Sequence, residues 1–329
     1  MEWNPTDVED KLHLQFKSEE MLRLALTDLS YAEQANEPET NNIRLEYLGR
    51  SVLELAIADY LYRFCPYLET GKCARLVEKL AGSDRLTSLW FHLDLGNTYP
   101  FLAASESRPL LRKQAQNPFE KTLRAVVGAI HRDRGYVQAR NWLQKHLIAP
   151  LLEKHLKKIT ERKEPEKQLR WLGDLLLPAI LDDHLFEMLP EVDVDLLCAL
   201  RRALTTNAFQ TTWAQHLTDA DRERLLNPRG TKPVQMLLAQ AFLDYSSENE
   251  KLAFRQARDW FVERFLDKEA ILREAIVRLQ ARGVPQKWLV HNVLGYSSKD
   301  YHDGRDRLQE ILTGKSAKQN AEEKQGEEE

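Results

Sequence analysis

The chain has 329 residues, enough for about two domains. It is 43% hydrophobic and 30% charged, a balance that supports a packed core and excludes wholesale disorder. The formal net charge is −4, from 47 Lys and Arg against 51 Asp and Glu. No global positive field draws such a chain to nucleic acid, although a local basic patch is compatible with it.

Gly and Pro number 13 each, and Leu, Ala, Glu and Arg abound, so the expected structure is helical. The three cysteines, Cys65, Cys73 and Cys198, form no C-x-x-C, which argues against a disulfide framework or a structural zinc site. There is no run of 18 apolar residues, and the N-terminal stretch MEWNPTDVEDKLHL is acidic without an apolar signal region. The expected location is cytoplasmic. No glycine-rich phosphate-binding motif is present, so no nucleotide cofactor is called for.

Residues 1–155 read as one helical unit. Apolar residues recur at helical spacing, as in Leu22, Ala25, Leu26 and Leu29, and again in Leu53, Ile57, Tyr60 and Leu61. Ser83 stands where a helix N-cap is expected. Residues 103–119 read as a polar connection, with a helix from about Glu120. Residues 156–167 are charged, contain Pro165 and read as a linker. A second helical block spans 168–267 and a smaller helical module 268–313. The tail 314–329 holds no large apolar residue and reads as disordered.

The two blocks repeat each other. Leu45-Glu46-Tyr47-Leu48-Gly49-Arg50 corresponds to Leu169-Arg170-Trp171-Leu172-Gly173-Asp174, and Pro66 to Pro190. After one shortened loop, Thr122–Gly128 faces Pro233–Ala239, and Ala139-Arg140-Asn141-Trp142-Leu143 faces Ala257-Arg258-Asp259-Trp260-Phe261. Several matches in order point to a duplication.

The first block resembles the catalytic domain of the ribonuclease III family. Ala25-Leu26-Thr27-Asp28-Leu29-Ser30-Tyr31 follows the family's A-L-T-H-x-S-Y, and Asn42–Leu53 follows its N-E-R-L-E-F-L-G-D-[AS]-V-L signature. Lys121–Ala129 follows the closing D-x-x-E-A-L-I-G-A. The second block resembles the same domain more faintly, without its N-terminal helix. The resemblance implies an all-α fold with two ribonuclease III-like domains in tandem. The C-terminal module resembles a helix-turn-helix, with a helix starting at Pro285, a stop at Gly295 and a cap at Ser297 or Ser298.

The resemblance also implies double-stranded RNA cleavage assisted by magnesium, which needs hard oxygen ligands. In the first block the implied ligand positions carry Ile43, Glu46, Arg50, Thr70, Lys121 and Arg124; in the second they carry Lys167, Arg170, Asp174, Val194, Lys232 and Gln235. One carboxylate survives in each set. Arg and Lys have no lone pair for a cation. Two readings follow for Arg50, Lys121 and Arg124. Either they hold an RNA phosphate, or Arg124 joins Glu46 and Arg50 in a buried salt bridge; both predict no nuclease activity. A residual nuclease would need a site rebuilt around Asp174, Asp182 and Asp183.

The family domain works as a dimer, so two copies in one chain can pair internally, with Tyr47, Leu48, Ser51 and Leu55 against Trp171, Leu172, Leu175 and Ala179. Homodimerisation of the whole chain satisfies the sequence equally. In the C-terminal module Lys299 and Arg305 are candidates for nucleic-acid contact, together with Tyr301 and His302. Yet residues 268–313 hold eight Lys or Arg against six Asp or Glu, hardly a basic module. Glu191, Asp193 and Asp195 read as an exposed turn before a helix, and the histidines and tryptophans as structural. The expected function is a non-catalytic scaffold that binds structured RNA or sits in a ribonucleoprotein. The alternatives are a scaffold for protein partners alone and a residual magnesium-dependent nuclease.

Overall fold

The computed structural model describes residues 4–95, 118–152, 161–225 and 232–314. Every regular element among them is helical. The chain opens with α1 (Pro5–Leu12), α2 (Glu19–Leu26), α3 (Leu29–Gln34) and the long α4 (Ile43–Phe64). Next come α5 (Thr70–Leu80), α6 (Ser83–His92), α7 (Pro118–Arg134) and α8 (Tyr136–Leu143), which passes through a wide π-type turn into α9 (Ala149–Leu152). The second half holds α10 (Pro165–Met188), α11 (Val194–Leu204), α12 (Asn207–Gln215), α13 (Asp219–Arg224), α14 (Pro233–Asn249) and α15 (Ala253–Phe265). It ends with α16 (Lys268–Ala281), α17 (Gln286–Trp288), a second π-type turn and α18 (Tyr301–Thr313). No described helix is long and apolar enough to cross a membrane.

Helix starts follow local chemistry. Ser18 caps α2 by accepting the Met21 N–H at 3.1 Å, and Asp28 caps α3 through Ser30. Asp193 caps α11 through the Leu196 N–H at 2.9 Å, so the acidic turn at 191–195 begins a helix. Two expected caps fall elsewhere. Ser83 is the first residue of α6 and Gly82 its cap; α18 starts after Asp300, whose carboxylate accepts from Ser297. Pro285 likewise stands before α17, not within it. Its extended ψ of 144° places it outside the helix.

The contacts divide the chain into two compact units, Met1–Asp183 with Ala214–Arg258, and His184–Trp213 with Asp259–Glu329. The polar connection at 103–119 lies outside the described residues except for its last two positions, as do residues 156–160 of the linker and all but the first residue of the tail; the linker's last three residues, 165–167, already belong to α10.

In the first unit α4 is the central helix. It is apolar nearly all round, which suits a helix enclosed on every side. Its main partner is α7, and the pair crosses so closely that glycine is required. A Cβ at Gly49 would fall inside the carbonyl of Arg124, and one at Gly128 inside the carbonyl of Leu45. The same crossing recurs between α10 and α14, where a Cβ at Gly173 would meet the carbonyl of Gln235. Gly173 and Gln235 are the positions that the sequence repeat aligns with Gly49 and Arg124.

A second correspondence is ionic. Asp59, fully buried on α4, takes Arg63 Nε at 2.5 Å and Arg140 Nη1 at 3.2 Å. Asp183, buried on α10, takes Arg258 Nη1 at 2.6 Å and His131 Nε2 at 3.0 Å. Arg140 and Arg258 occupy matching places in the two ARxW segments. These networks also join the blocks. His131 and Arg132 come from α7, while Arg140 pairs with Glu250 at 2.8 Å. Tyr47 on α4 donates to Asp182 on α10, and Tyr136 stacks on Phe254 at 5.0 Å. The segment before α10 is stapled to the end of α4. Arg162 lies over the Tyr62 ring at 3.8 Å, and Gln168 donates to the Pro66 carbonyl at 2.9 Å.

The second unit packs α11 against α16 and α16 against α18. Gly304 admits Val290 and Tyr296 against α18.

Two outcomes test these contacts. Gly49→Ala and Gly173→Ala should each cost about 3 kcal/mol, because overpacking forces the backbones apart; urea unfolding measures it, and full parental stability in either variant refutes the close crossing. Asp183→Asn leaves buried cations unpaired and should cost about 3–5 kcal/mol at neutral pH. Burial alone would raise the Asp183 carboxyl, but the His131 hydrogen bond and the charges of His131 and Arg258 hold it well below the usual range. Its stabilisation is therefore present above the ordinary aspartate range and is lost as pH falls from there towards the lowered value. The Asn variant should lose that part of the acid dependence.

Candidate functional site

The α4–α7 crossing fixes which side chains meet. Glu46 and Arg50 lie one turn apart on α4, and Glu120, Lys121 and Arg124 lie on the first turns of α7. Arg124 is the centre of the cluster. Its Nη2 reaches Glu120 at 2.5 Å and the Ala81 carbonyl at 3.2 Å, and its Nη1 lies 3.9 Å from Glu46. Its side chain is 12% exposed. Lys121 is half-buried, Arg50 exposed, and Ile43 half-buried at the start of α4.

The electrostatics match a closed ion-pair cluster. Burial raises the Glu46 carboxyl above its ordinary value, with Lys121, Arg124 and Arg50 opposing the rise. Burial likewise lowers Arg124, against the pull of Glu120. Glu120 was not singled out in the sequence, although its i, i+4 spacing to Arg124 was the available signal. The salt-bridge expectation thus acquires Glu120 in place of Arg50.

The turn position Thr70 has its own carboxylate. Its N–H and hydroxyl both donate to Glu164 Oε2, at 3.0 and 3.2 Å. Glu164 is held down at about 2, first by Lys167 and then by the Thr70 N–H. Glu164 comes from the segment before α10, far from Thr70 in sequence, and no motif announces it.

In the second block the surviving carboxylate is also paired. Asp174 on α10 meets Lys232 Nζ at 2.8 Å, from the residue that precedes α14. Gln235 is buried at the crossing, Lys167 pairs with Glu164 and Arg170 is half-buried. Val194 belongs to the second unit, on the first turn of α11. Asp174, Asp182 and Asp183 have separate partners, Lys232, Tyr47 and the His131–Arg258 pair, and are not gathered into one donor set. Lys299 and Arg305 are exposed in the second unit, with Arg305 3.5 Å from Asp306.

The donor set does not fit the magnesium that the resemblance implies. A hard divalent ion needs several free oxygens. Here the carboxylates face guanidinium and ammonium groups, and no cluster of three or more His, Cys, Asp or Glu among the described residues is placed to hold a metal.

Residues 18–151 match the family model described as Ribonuclease-III-like. The chain carries a ribonuclease III-like domain. Among curated proteins it is similar to Ribonuclease 3 of Streptomyces coelicolor, 38% identical over 149 residues, covering 45% of this chain and 52% of that protein. It is also similar to Ribonuclease 3 of Borreliella afzelii, 32% identical over 130 residues, covering 40% and 52%, and of Dechloromonas aromatica, 36% over 148 residues, covering 44% and 62%. The chain spans about half the length of the curated relatives it matches. Among solved structures it is similar to the nuclease domain of ribonuclease III from Campylobacter jejuni, at 27% identity and a TM-score of 0.40, covering 45% of this chain and 97% of that one. The ribonuclease III-like domain begins near Ser18, the cap of α2, and closes with α9.

Arg124→Met tests the cluster. It leaves Glu46 and Glu120 without their shared cation and should cost about 2–3 kcal/mol at neutral pH, as removal of one partner of a buried pair does. Glu46 is already raised, so a further rise makes its charge a cost that grows as pH climbs through its folded value. The stability difference from the parent should shrink below the ordinary carboxyl range; an unchanged difference across pH would count against the pairing.

Proposed function

We propose that the protein is a non-catalytic ribonuclease III-like scaffold that binds structured RNA, alone or within a ribonucleoprotein. The observation that supports loss of catalysis is an ion pair at the surviving carboxylate of each block, made by different positions in the two. A side-chain cation from the closing helix or its cap faces the surviving carboxylate of the signature helix, Arg124 facing Glu46 and Lys232 facing Asp174. An internal cation takes the place of the divalent ion as the counter-charge. It offers no open coordination position, no Lewis acid and no metal-bound water.

RNA enters from the likeness to proteins named Ribonuclease 3. Within the proposal, residues 168–267 are a second, diverged copy of the domain at 1–155, and the two pair inside one chain. The contacts of Tyr47 with Asp182 and of His131 with Asp183 support that pairing. Arg124 is a structural cation in this reading. Arg50, Lys299 and Arg305 are exposed and available to phosphate, with Lys121 half-buried beside the ion-pair cluster.

Purified protein mixed with double- and single-stranded RNA, with and without magnesium, tests the proposal. Binding without cleavage is expected, and it should weaken with salt as released counterions dictate. Metal-dependent cleavage by the purified chain would overturn the non-catalytic reading. Neither binding nor cleavage would replace it with a scaffold for protein partners.

A further inference from the structure

One corner of the first unit gathers three cations that form no ion pair with a carboxylate among the described residues. Lys17, Arg134 and Lys251 line one cavity of about 230 Å³, together with Val137 and Gln138. They come from the residue before the α2 cap, the end of α7 and the turn between α14 and α15. None of the three makes an ion pair among the described residues.

The nearest carboxylates in sequence have other hydrogen-bond and ion-pair partners than these three side chains. Asp133 accepts the backbone N–H groups of Lys17 and Ser18, at 2.7 and 3.0 Å. Glu250 pairs with Arg140 at 2.8 Å. Three like charges around one cavity repel one another unless an anion joins them. The cavity wall adds to the field. Val137 and Gln138 are the second and third residues of α8, whose cap is Gly135 at φ +88°, with no side chain to accept their N–H groups. The positive end of that helix therefore adds to the cations.

We propose that this pocket is an oxyanion site that takes one phosphate group, either a backbone phosphodiester of RNA or free phosphate. Arg134 supplies a planar fork of donors, and Lys17 and Lys251 supply two mobile point charges. The site is made of residues other than the ion-pair cluster of Glu46 and Arg124. Its RNA source rests on the RNA-binding role proposed above, whereas its free-phosphate source does not.

The full chain and a Lys17→Ala, Arg134→Ala, Lys251→Ala variant are titrated calorimetrically with inorganic phosphate. Both are then titrated with double-stranded RNA that lacks terminal phosphates, across a salt series. The three residues bear on no described ion pair, so urea unfolding should match the parent; Arg134→Lys checks that charge, not shape alone, is lost. Phosphate binding should fall at least tenfold in the triple variant. If the source is the RNA backbone, RNA affinity falls too and the log–log salt slope drops by about 1. Loss of phosphate binding with unchanged RNA affinity assigns the site to free phosphate. Loss of phosphate binding in a chain that binds no RNA upholds the pocket and overturns the RNA-binding role. If the triple variant binds phosphate and RNA as the parent does, or if the parent binds no phosphate and the variant binds RNA as the parent does, the pocket is not an oxyanion site.

Discussion

The close crossing of α4 and α7 is the constraint from which the site follows. Gly49 and Gly128 bring two helix backbones within contact of each other's carbonyls. At that separation the side chains at positions 46, 120 and 124 must share one small volume. Carboxylates alone there would repel one another and demand a cation from solution. In this chain the cation is covalently attached, as Arg124. The crossing of α10 and α14 imposes the same demand, and Lys232 meets it at Asp174. Two different side chains at two different positions satisfy one geometric requirement.

The buried aspartates place a similar demand on the contact between the blocks. Asp59 and Asp183 are nearly inaccessible, so each must be surrounded by donors or protonate. Each takes an arginine from its own block, and each network reaches the other block, through Glu250 on one side and His131 on the other. Such networks add little net stability over an apolar interface of equal volume. Their effect is on register. A slip of one helical turn between α4 and α10 would separate Tyr47 from Asp182 and leave His131 without its carboxylate, whereas an apolar contact would tolerate the slip. Polar pairs therefore define how the blocks meet, and apolar contacts such as Tyr136 on Phe254 supply the bulk of the attraction.

Much of this was legible in the residues. Helical periodicity gave the all-α class, and the Leu-Gly signature placed α4 and α10, because a glycine within an apolar helix marks a close approach. The ligand positions were legible as positions. Their partners were not. Sequence spacing shows Glu46 and Arg50 one turn apart, but solvent reaches Arg50, and the pair forms instead with Arg124 from α7. Glu164 beside Thr70 was invisible for a different reason. It lies 94 residues away along the chain and reaches Thr70 only because Arg162 and Gln168 anchor its segment to the end of α4. The caps at Gly82 and Asp300 were missed by one residue and by two or three, since neither holds its helix through a side-chain hydrogen bond of the kind a serine would announce.

Charge bookkeeping along a chain says little about where an anion can bind. The net charge of −4 suggests a protein that repels phosphate, and many of its described cations do pair with carboxylates. What matters is how the carboxylates are occupied. Asp133 accepts the backbone N–H groups of Lys17 and Ser18 and Glu250 pairs with Arg140, so neither forms an ion pair with the cations beside it. The pocket of Lys17, Arg134 and Lys251 is a consequence of those two commitments. At the positions where the family resemblance implies metal ligands the commitments run the other way. Arg124, Glu46 and Glu120 neutralise one another, and the cation most suggestive of phosphate binding in the sequence is the one whose guanidinium is already engaged. The crossing of α4 and α7 thereby removes Arg124 from the proposed recognition, and the proposed phosphate pocket lies at a corner that no family motif marks.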